Sequence, residues 1–325
     1  MAHLIGHEAG RPPYLDHSRM KPDLRHDREM IVQCVAPTGD HCGEAATWSL
    51  DEGVLYWVDV NRFLVRRLNP STGAVEAWHF DEPCVALFLT DEPGLLLLAT
   101  GSRVIRWRPD TDEREDYGFN LGTWPEARLN DGRPGPGGEM WLGSMANNVG
   151  PDGEPGDVVG RPGELFCIRE GKPELIRSDI GIANTVCFSP DRSHFYFGDS
   201  VRNVIWRYDY DADTRAISNE TAFFEGFERG GPDGSTVDAE GYLWNCRFGG
   251  GCVVRVAPSG EIDSILEMPC SNITTCEFGG EDLKTLYITS ASLLAPKYER
   301  LAGSLFSVQT AVPGNPPSQV TLQQN

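Results

Sequence analysis

Six positions stand at one offset, about ten residues, ahead of six recurrent apolar phrases: Glu44, Val85, Asn130, Asn184, Asp233 and Thr275. All but Val85 carry a polar side chain. A carboxylate, an amide and a second carboxylate from separate copies, Glu44, Asn184 and Asp233, make a set of hard oxygen donors. Such donors suit Ca²⁺, Mg²⁺ or Mn²⁺ and take Zn²⁺ less selectively. A divalent cation held this way can polarise an ester carbonyl and activate a water. Taken singly, none of the three is distinctive. Pro232-Asp233-Gly234 is a common turn composition, Asn184 suits a turn or bulge, and Glu44 suits a solvated strand end. The shared register joins them, because equivalent offsets in a repeat imply equivalent places in the fold.

The phrases that define the register are Leu55-Tyr56-Trp57-Val58-Asp59, Leu96 to Thr100, Met140 to Ser144, Phe195 to Asp199, Leu243 to Arg247 and Leu286 to Ser290. Acidic or Gly-rich turns precede most of them, as in Asp238-Ala239-Glu240-Gly241. A second apolar run follows most of them, such as Val65 to Thr72 and Val204 to Asp211. Short runs rich in Val, Ile, Tyr, Trp and Phe, bounded by Gly, Pro, Asp and Ser, are strand-and-turn chemistry. No long stretch shows helical spacing. A period of roughly 40 to 55 residues fits a four-stranded sheet repeated radially. The expected fold is therefore all-β, a six-bladed β-propeller with a central channel, with an all-β sandwich pair as the alternative. The expected boundaries are an N-terminal extension at 1–30, disordered in part or lying on the surface, the propeller at 31–312 and a C-terminal tail at 313–325.

Composition narrows the partners. A net charge of −20 over 325 residues argues against nucleic acid, which demands clustered Lys and Arg, and against an anionic membrane surface. No run approaches the roughly 18 apolar residues of a membrane span, and the first residues lack a signal core. Nine cysteines, mostly in predicted strands such as those of Cys187, Cys246 and Cys276, read as small buried hydrophobes in a reducing cytoplasm. Asp209, Asp211, Asp213 and Glu220 nearly spell a calcium loop. Thr214 stands where that loop needs glycine, so a solvated hairpin turn is expected. No serine-hydrolase elbow or His-Glu-x-x-His occurs, and His41 is expected at the rim.

Glu44 before Trp48, Arg128-Leu129-Asn130-Asp131-Gly132 followed by Gly143-Ser144-Met145, Ile182-Ala183-Asn184, and Pro232-Asp233-Gly234 followed by Asp238 to Trp244 together resemble the regucalcin/gluconolactonase family. The resemblance runs from about Glu44 to Ala291. It implies a propeller that hydrolyses sugar lactones with one divalent cation, Ca²⁺ foremost, with Zn²⁺, Mn²⁺, Mg²⁺ or Fe²⁺ as alternatives. By motif the ligands are Glu44, Asn184 and Asp233, with Asp233 also the catalytic base. Substrate contacts fall on Arg128 and Asn130, unless Arg128 pairs with an acid such as Glu126. The chain departs from the pattern at Ala45-Ala46, at Thr185, where the family usually has Gly, and at Asn147 and Asn148 in place of an acidic substrate contact. Asn148 can still bond a sugar hydroxyl. The Gly- and Pro-rich segment from Asn147 to Gly163 is expected as a long loop over the channel. The expected partner is a small sugar lactone. Alternatives are phosphotriester or aryl-ester hydrolysis at the same site, or a non-catalytic propeller that binds a cation or a protein.

Overall fold

The structure, a computed structural model, describes residues 30–322. The expected extension at 1–29 lies outside the described residues. The chain enters through a short strand, β1 (Gln33–Ala36), and then builds six antiparallel four-stranded sheets. Blade one is β2 (Gly43–Ser49), β3 (Val54–Asp59), β4 (Leu64–Asn69) and β5 (Ala74–His79). Blade two is β6 (Cys84–Leu89), β7 (Leu96–Thr100), β8 (Arg103–Arg108) and β9 (Glu113–Asn120). Blade three is β10 (Ala127–Pro134), β11 (Met140–Ala146), β12 (Gly163–Arg169) and β13 (Lys172–Ile180). Blade four is β14 (Ala183–Phe188), β15 (His194–Asp199), β16 (Val204–Asp211) and β17 (Ala216–Glu225). Blade five is β18 (Gly231–Val237), β19 (Leu243–Phe248), β20 (Cys252–Val256) and β21 (Ile262–Glu267). Blade six is β22 (Ile273–Gly279), β23 (Thr285–Ser290) and β24 (Leu305–Gln309), completed by β1 as its outermost strand. Joining the first strand to the last sheet closes the ring and leaves only short edges.

Each recurrent phrase is the second strand of its blade, buried almost throughout: β3 and β7 are buried at every residue. Stacked blades cover both faces of these strands, so they read as continuous apolar runs. Indoles repeat one device. Trp57, Trp141 and Trp244 are buried, and their Nε1 groups donate to Asp40, Glu139 and Asp238 at 2.8, 3.0 and 3.0 Å. Each ring contributes apolar burial while its one polar atom is satisfied. The outer strands are different: β5 and β9 are exposed along most of their length, and no apolar pattern announces them. Hairpins between first and second strands are similar in length. An offset of about ten residues from the phrase therefore lands on the innermost strand in all six blades.

The stretch beyond β24 crosses the lower mouth of the channel. Gly314 N donates to Leu283 O at 2.8 Å and the Asn315 amide to Val237 O at 3.0 Å. Val320 N then donates to Leu89 O at 2.8 Å and Thr321 N to Gly138 O at 2.9 Å. This strap runs from blades five and six to blades two and three and leaves the opposite, upper mouth as the open one. No helix among the described residues is long and apolar enough to cross a membrane.

Candidate active site at the upper mouth of the channel

Every innermost strand carries a bulge at its upper part, where pairing slips: between Glu44 and Thr47, Leu129 and Gly132, Asn184 and Cys187, and Pro232 and Ser235. A bulge re-aims side chains that strict alternation would send into the sheet. The backbone at the bulge is left-handed at Ala45 (φ 55°) and Thr185 (φ 55°). In a β-branched residue this conformation costs of order 1–3 kcal/mol. The acids that end two of the phrases hold the approach to the bulge. Asp59 accepts from the His41 and Cys42 amides at 3.0 and 3.2 Å, and Asp199 accepts from Gly181 and Ile182 at 2.9 and 3.3 Å. Gly234 is required for packing between blades, since a Cβ there would lie 2.1 Å from Thr275 Oγ1.

Glu44, Arg128, Asn130, Asn184 and Asp233 come together here. Arg128, Asn184 and Asp233 are buried, whereas Glu44 and Asn130 keep part of their surface in the cavity. The Glu44 and Asp233 carboxyl groups are in hydrogen-bonding contact. Burial, and then the charge of Asp131, push Glu44 up to about 8. Burial and the facing Glu44 carry Asp233 well above the usual carboxylate range. Among the described residues no guanidinium bonds either group. Arg128 does not pair with Glu126. Its Nε donates to Asn148 Oδ1 at 3.0 Å, and its Nη1 donates to Asn130 Oδ1 at 2.6 Å and Leu129 O at 3.0 Å. Burial draws it down to about 10. Asn130 in turn donates to Ala183 O at 2.9 Å and to Asn184 Oδ1 at 3.2 Å. Asn184 Nδ2 donates to Ser200 Oγ at 2.8 Å, which fixes its amide with the oxygen toward Asn130 and the site.

Two buried carboxyl groups in contact, with no protein cation bonded to them, must hold a proton between them or take up a cation. Their oxygens and the oriented Asn184 oxygen are hard donors that fit a divalent ion. Thr275 stays out of this set. It packs on Gly234 and lines a cavity of about 250 Å³ below, together with Asp131, Arg133 and Glu277. The Asn147–Gly163 loop is itself folded. Val149 pairs with Pro155, Gly156 N donates to Asn148 O at 2.7 Å, and the Asn61 amide of blade one donates to Gly153 O at 2.8 Å. A Cβ at Gly153 would lie 1.8 Å from the Asn61 carbonyl, so the contact tolerates only glycine. Asn148 therefore stands in a braced wall over blade two. Cys42 was not singled out by its sequence context, yet its thiol also belongs to the site. Burial raises it first, and then the charges of Glu44 and Asp233. Position two residues before Glu44 was the available signal.

Residues 42–292 match the family described as the SMP-30/gluconolactonase/LRE-like region. The chain belongs to this family. A 6-deoxy-6-sulfogluconolactonase of Pseudomonas putida is 32% identical over 297 residues, covering 87% of this chain and 96% of the relative. A pentonolactonase of Haloferax volcanii is 32% identical over 297 residues, covering 88% and 97%. Among solved structures of the family, a regucalcin from Agrobacterium tumefaciens, described as a calcium-binding protein, superposes with a TM-score of 0.84. It is 26% identical and covers 90% of this chain and 98% of its own.

Proposed function

We propose that this lactonase opens a sugar lactone to its aldonic acid, with water as the nucleophile. The observation that carries the reading is the Glu44–Asp233 carboxyl pair, buried and without a bonded guanidinium, beside the amide of Asn184 and the Arg128–Asn130–Asn148 array. Glu44, Asn184 and Asp233 would hold one divalent cation, with Ca²⁺ foremost among Zn²⁺, Mn²⁺, Mg²⁺ and Fe²⁺. When bound, the cation supplies Lewis acidity to the lactone carbonyl and lowers the pKa of water.

The remaining work falls to side chains. Asp233, with one oxygen free of ligation, takes the proton from the attacking water as general base. Arg128 is held planar by three acceptors and presents its remaining N–H groups to the developing oxyanion or to ring hydroxyls. Asn130 and Asn148 orient the sugar through amide groups that give and accept hydrogen bonds but carry no charge. Holding substrate and water in one geometry lowers the entropic part of the barrier. Nine free cysteines, seven of them buried, fit a reducing compartment, and we place the enzyme in the cytoplasm.

The test is pH-indicator hydrolysis of a panel of pentono- and hexonolactones by chelator-stripped protein, with and without each cation. Turnover that returns with a cation is expected. Cation binding without turnover of any lactone would move the assignment to the aryl-ester or binding-module alternatives.

A further inference from the structure

Thr185 holds a backbone conformation that a β-branched residue rarely adopts, φ 55°, and it does so fully buried. Strain of that kind persists only where surrounding contacts over-determine it. Here the contacts converge on Asp233. Thr185 Oγ1 donates to the Asp233 carbonyl at 2.5 Å and lies 3.0 Å from Ser235 Oγ. The Asn245 amide Nδ2 donates to Ser235 Oγ at 2.9 Å, and at 3.3 Å reaches both Thr185 Oγ1 and the Asp233 carbonyl. Arg247 Nη1 anchors that amide by donating to Asn245 Oδ1 at 3.2 Å. On its other side the Thr185 backbone amide donates to the Asp131 carboxylate of blade three. Thr185 directly follows Asn184, so its hydroxyl ties the bulge carrying one oxygen donor to the bulge carrying another, across the junction of blades four and five.

We infer that Thr185 is a positioning residue whose hydroxyl fixes the separation of Asn184 and Asp233, and thereby sets the affinity and size selectivity of the cation site. The inference rests on the cation reading proposed above. A site whose ligands are held at one spacing distinguishes ions by the different oxygen distances they demand, about 2.3–2.6 Å for Ca²⁺ and about 2.0–2.1 Å for Mg²⁺. A site free to adjust distinguishes them less. Groups that orient ligands typically change metal affinity by about 10–100-fold when removed.

The experiment is calorimetric titration of chelator-stripped protein with CaCl₂ and with MgCl₂, alongside thermal melts of the cation-free forms. Wild type is compared with Thr185→Gly, Thr185→Val and Thr185→Ser. Thr185→Gly relieves the backbone strain and removes the hydroxyl, so stability and affinity should part company. Its cation-free melting temperature should hold or rise while Ca²⁺ affinity falls by about tenfold or more. The ratio of Ca²⁺ to Mg²⁺ affinity should narrow at the same time. Thr185→Val, which keeps the branched shape, should lose affinity likewise, and Thr185→Ser, which keeps the hydroxyl, should retain it within a factor of about three. Wild-type binding with unchanged affinity in Thr185→Gly and Thr185→Val overturns the clamp alone. Loss in Thr185→Ser equal to that in Thr185→Val also overturns it. Absence of cation binding by wild type overturns the clamp and the cation reading together.

Discussion

One strand, β10, sends an arginine to each end of the same channel, and the two ends treat charge in opposite ways. At the lower end Arg133 bonds the Glu277 carboxylate directly and also donates to the Ser235 and Cys276 carbonyls at 3.1 and 3.2 Å. Glu277 holds the Arg133 guanidinium well above its ordinary range despite burial. At the upper end Arg128 directs its bonds to two amides and a carbonyl, and the Glu44–Asp233 pair faces the cavity without it. Strict alternation would not send residues 128 and 133 to the same side; the bulge between Leu129 and Gly132 lets both address the channel. A neutralised pair closes and braces the lower end. An unneutralised pair leaves the upper end chemically available. Buried charge that is already matched is structural, and buried charge left unmatched is where a ligand can act.

The contrast makes separable predictions. Asp233→Asn and Glu44→Gln should each cut lactone kcat/KM by about 10³-fold or more, since general base and cation hold are lost together, and urea unfolding should show both variants folded. Glu277→Gln should do the reverse. It leaves a buried guanidinium without its partner and should lower stability by about 3–5 kcal/mol, read by urea unfolding, while KM stays within a factor of about two where the protein remains folded. Replacing both members, Arg133→Met with Glu277→Leu, should recover most of that loss. A smaller effect is expected at Arg128→Lys. An ammonium cannot reproduce a guanidinium held by three acceptors, so KM for an aldonolactone should rise about tenfold with cation affinity unchanged, as steady-state kinetics and calorimetry would show.

The smallest effect is a pH trend. Glu44 is raised to about 8 in the folded protein, so the folded state binds that proton more tightly than the unfolded chain does. Its contribution is fully present below the ordinary glutamate range and is lost as pH rises through about 8. Chelator-stripped wild type should therefore lose melting temperature between pH 5 and pH 8.5 relative to Glu44→Gln. Saturating cation should remove the difference from wild type by occupying the carboxylates. Parallel pH trends in the two cation-free proteins would count against an unmatched pair.

Much of this was legible in residue order. The buried second strands repeat the same phrase, because packing on both faces demands it, and a constant hairpin length carries that register onto Glu44, Asn130, Asn184 and Asp233. Other features had no such signal. Outer strands such as β5 face solvent along most of their length, so no pattern marks them. The closing strand Gln33–Ala36 is four residues long. The Arg133–Glu277 pair joins residues far apart in sequence, and Thr275 proved to be a packing partner of Gly234. Asn61, Cys42 and the Thr185 hydroxyl gain meaning only from neighbours on other blades.

The most direct measurement is calorimetric titration of chelator-stripped wild type, Asp233→Asn and Glu277→Gln with CaCl₂ and MnCl₂. The unmatched upper pair predicts one cation per chain in wild type and in Glu277→Gln, and none in Asp233→Asn. Binding that survives Asp233→Asn, or that disappears in a folded Glu277→Gln, would contradict it.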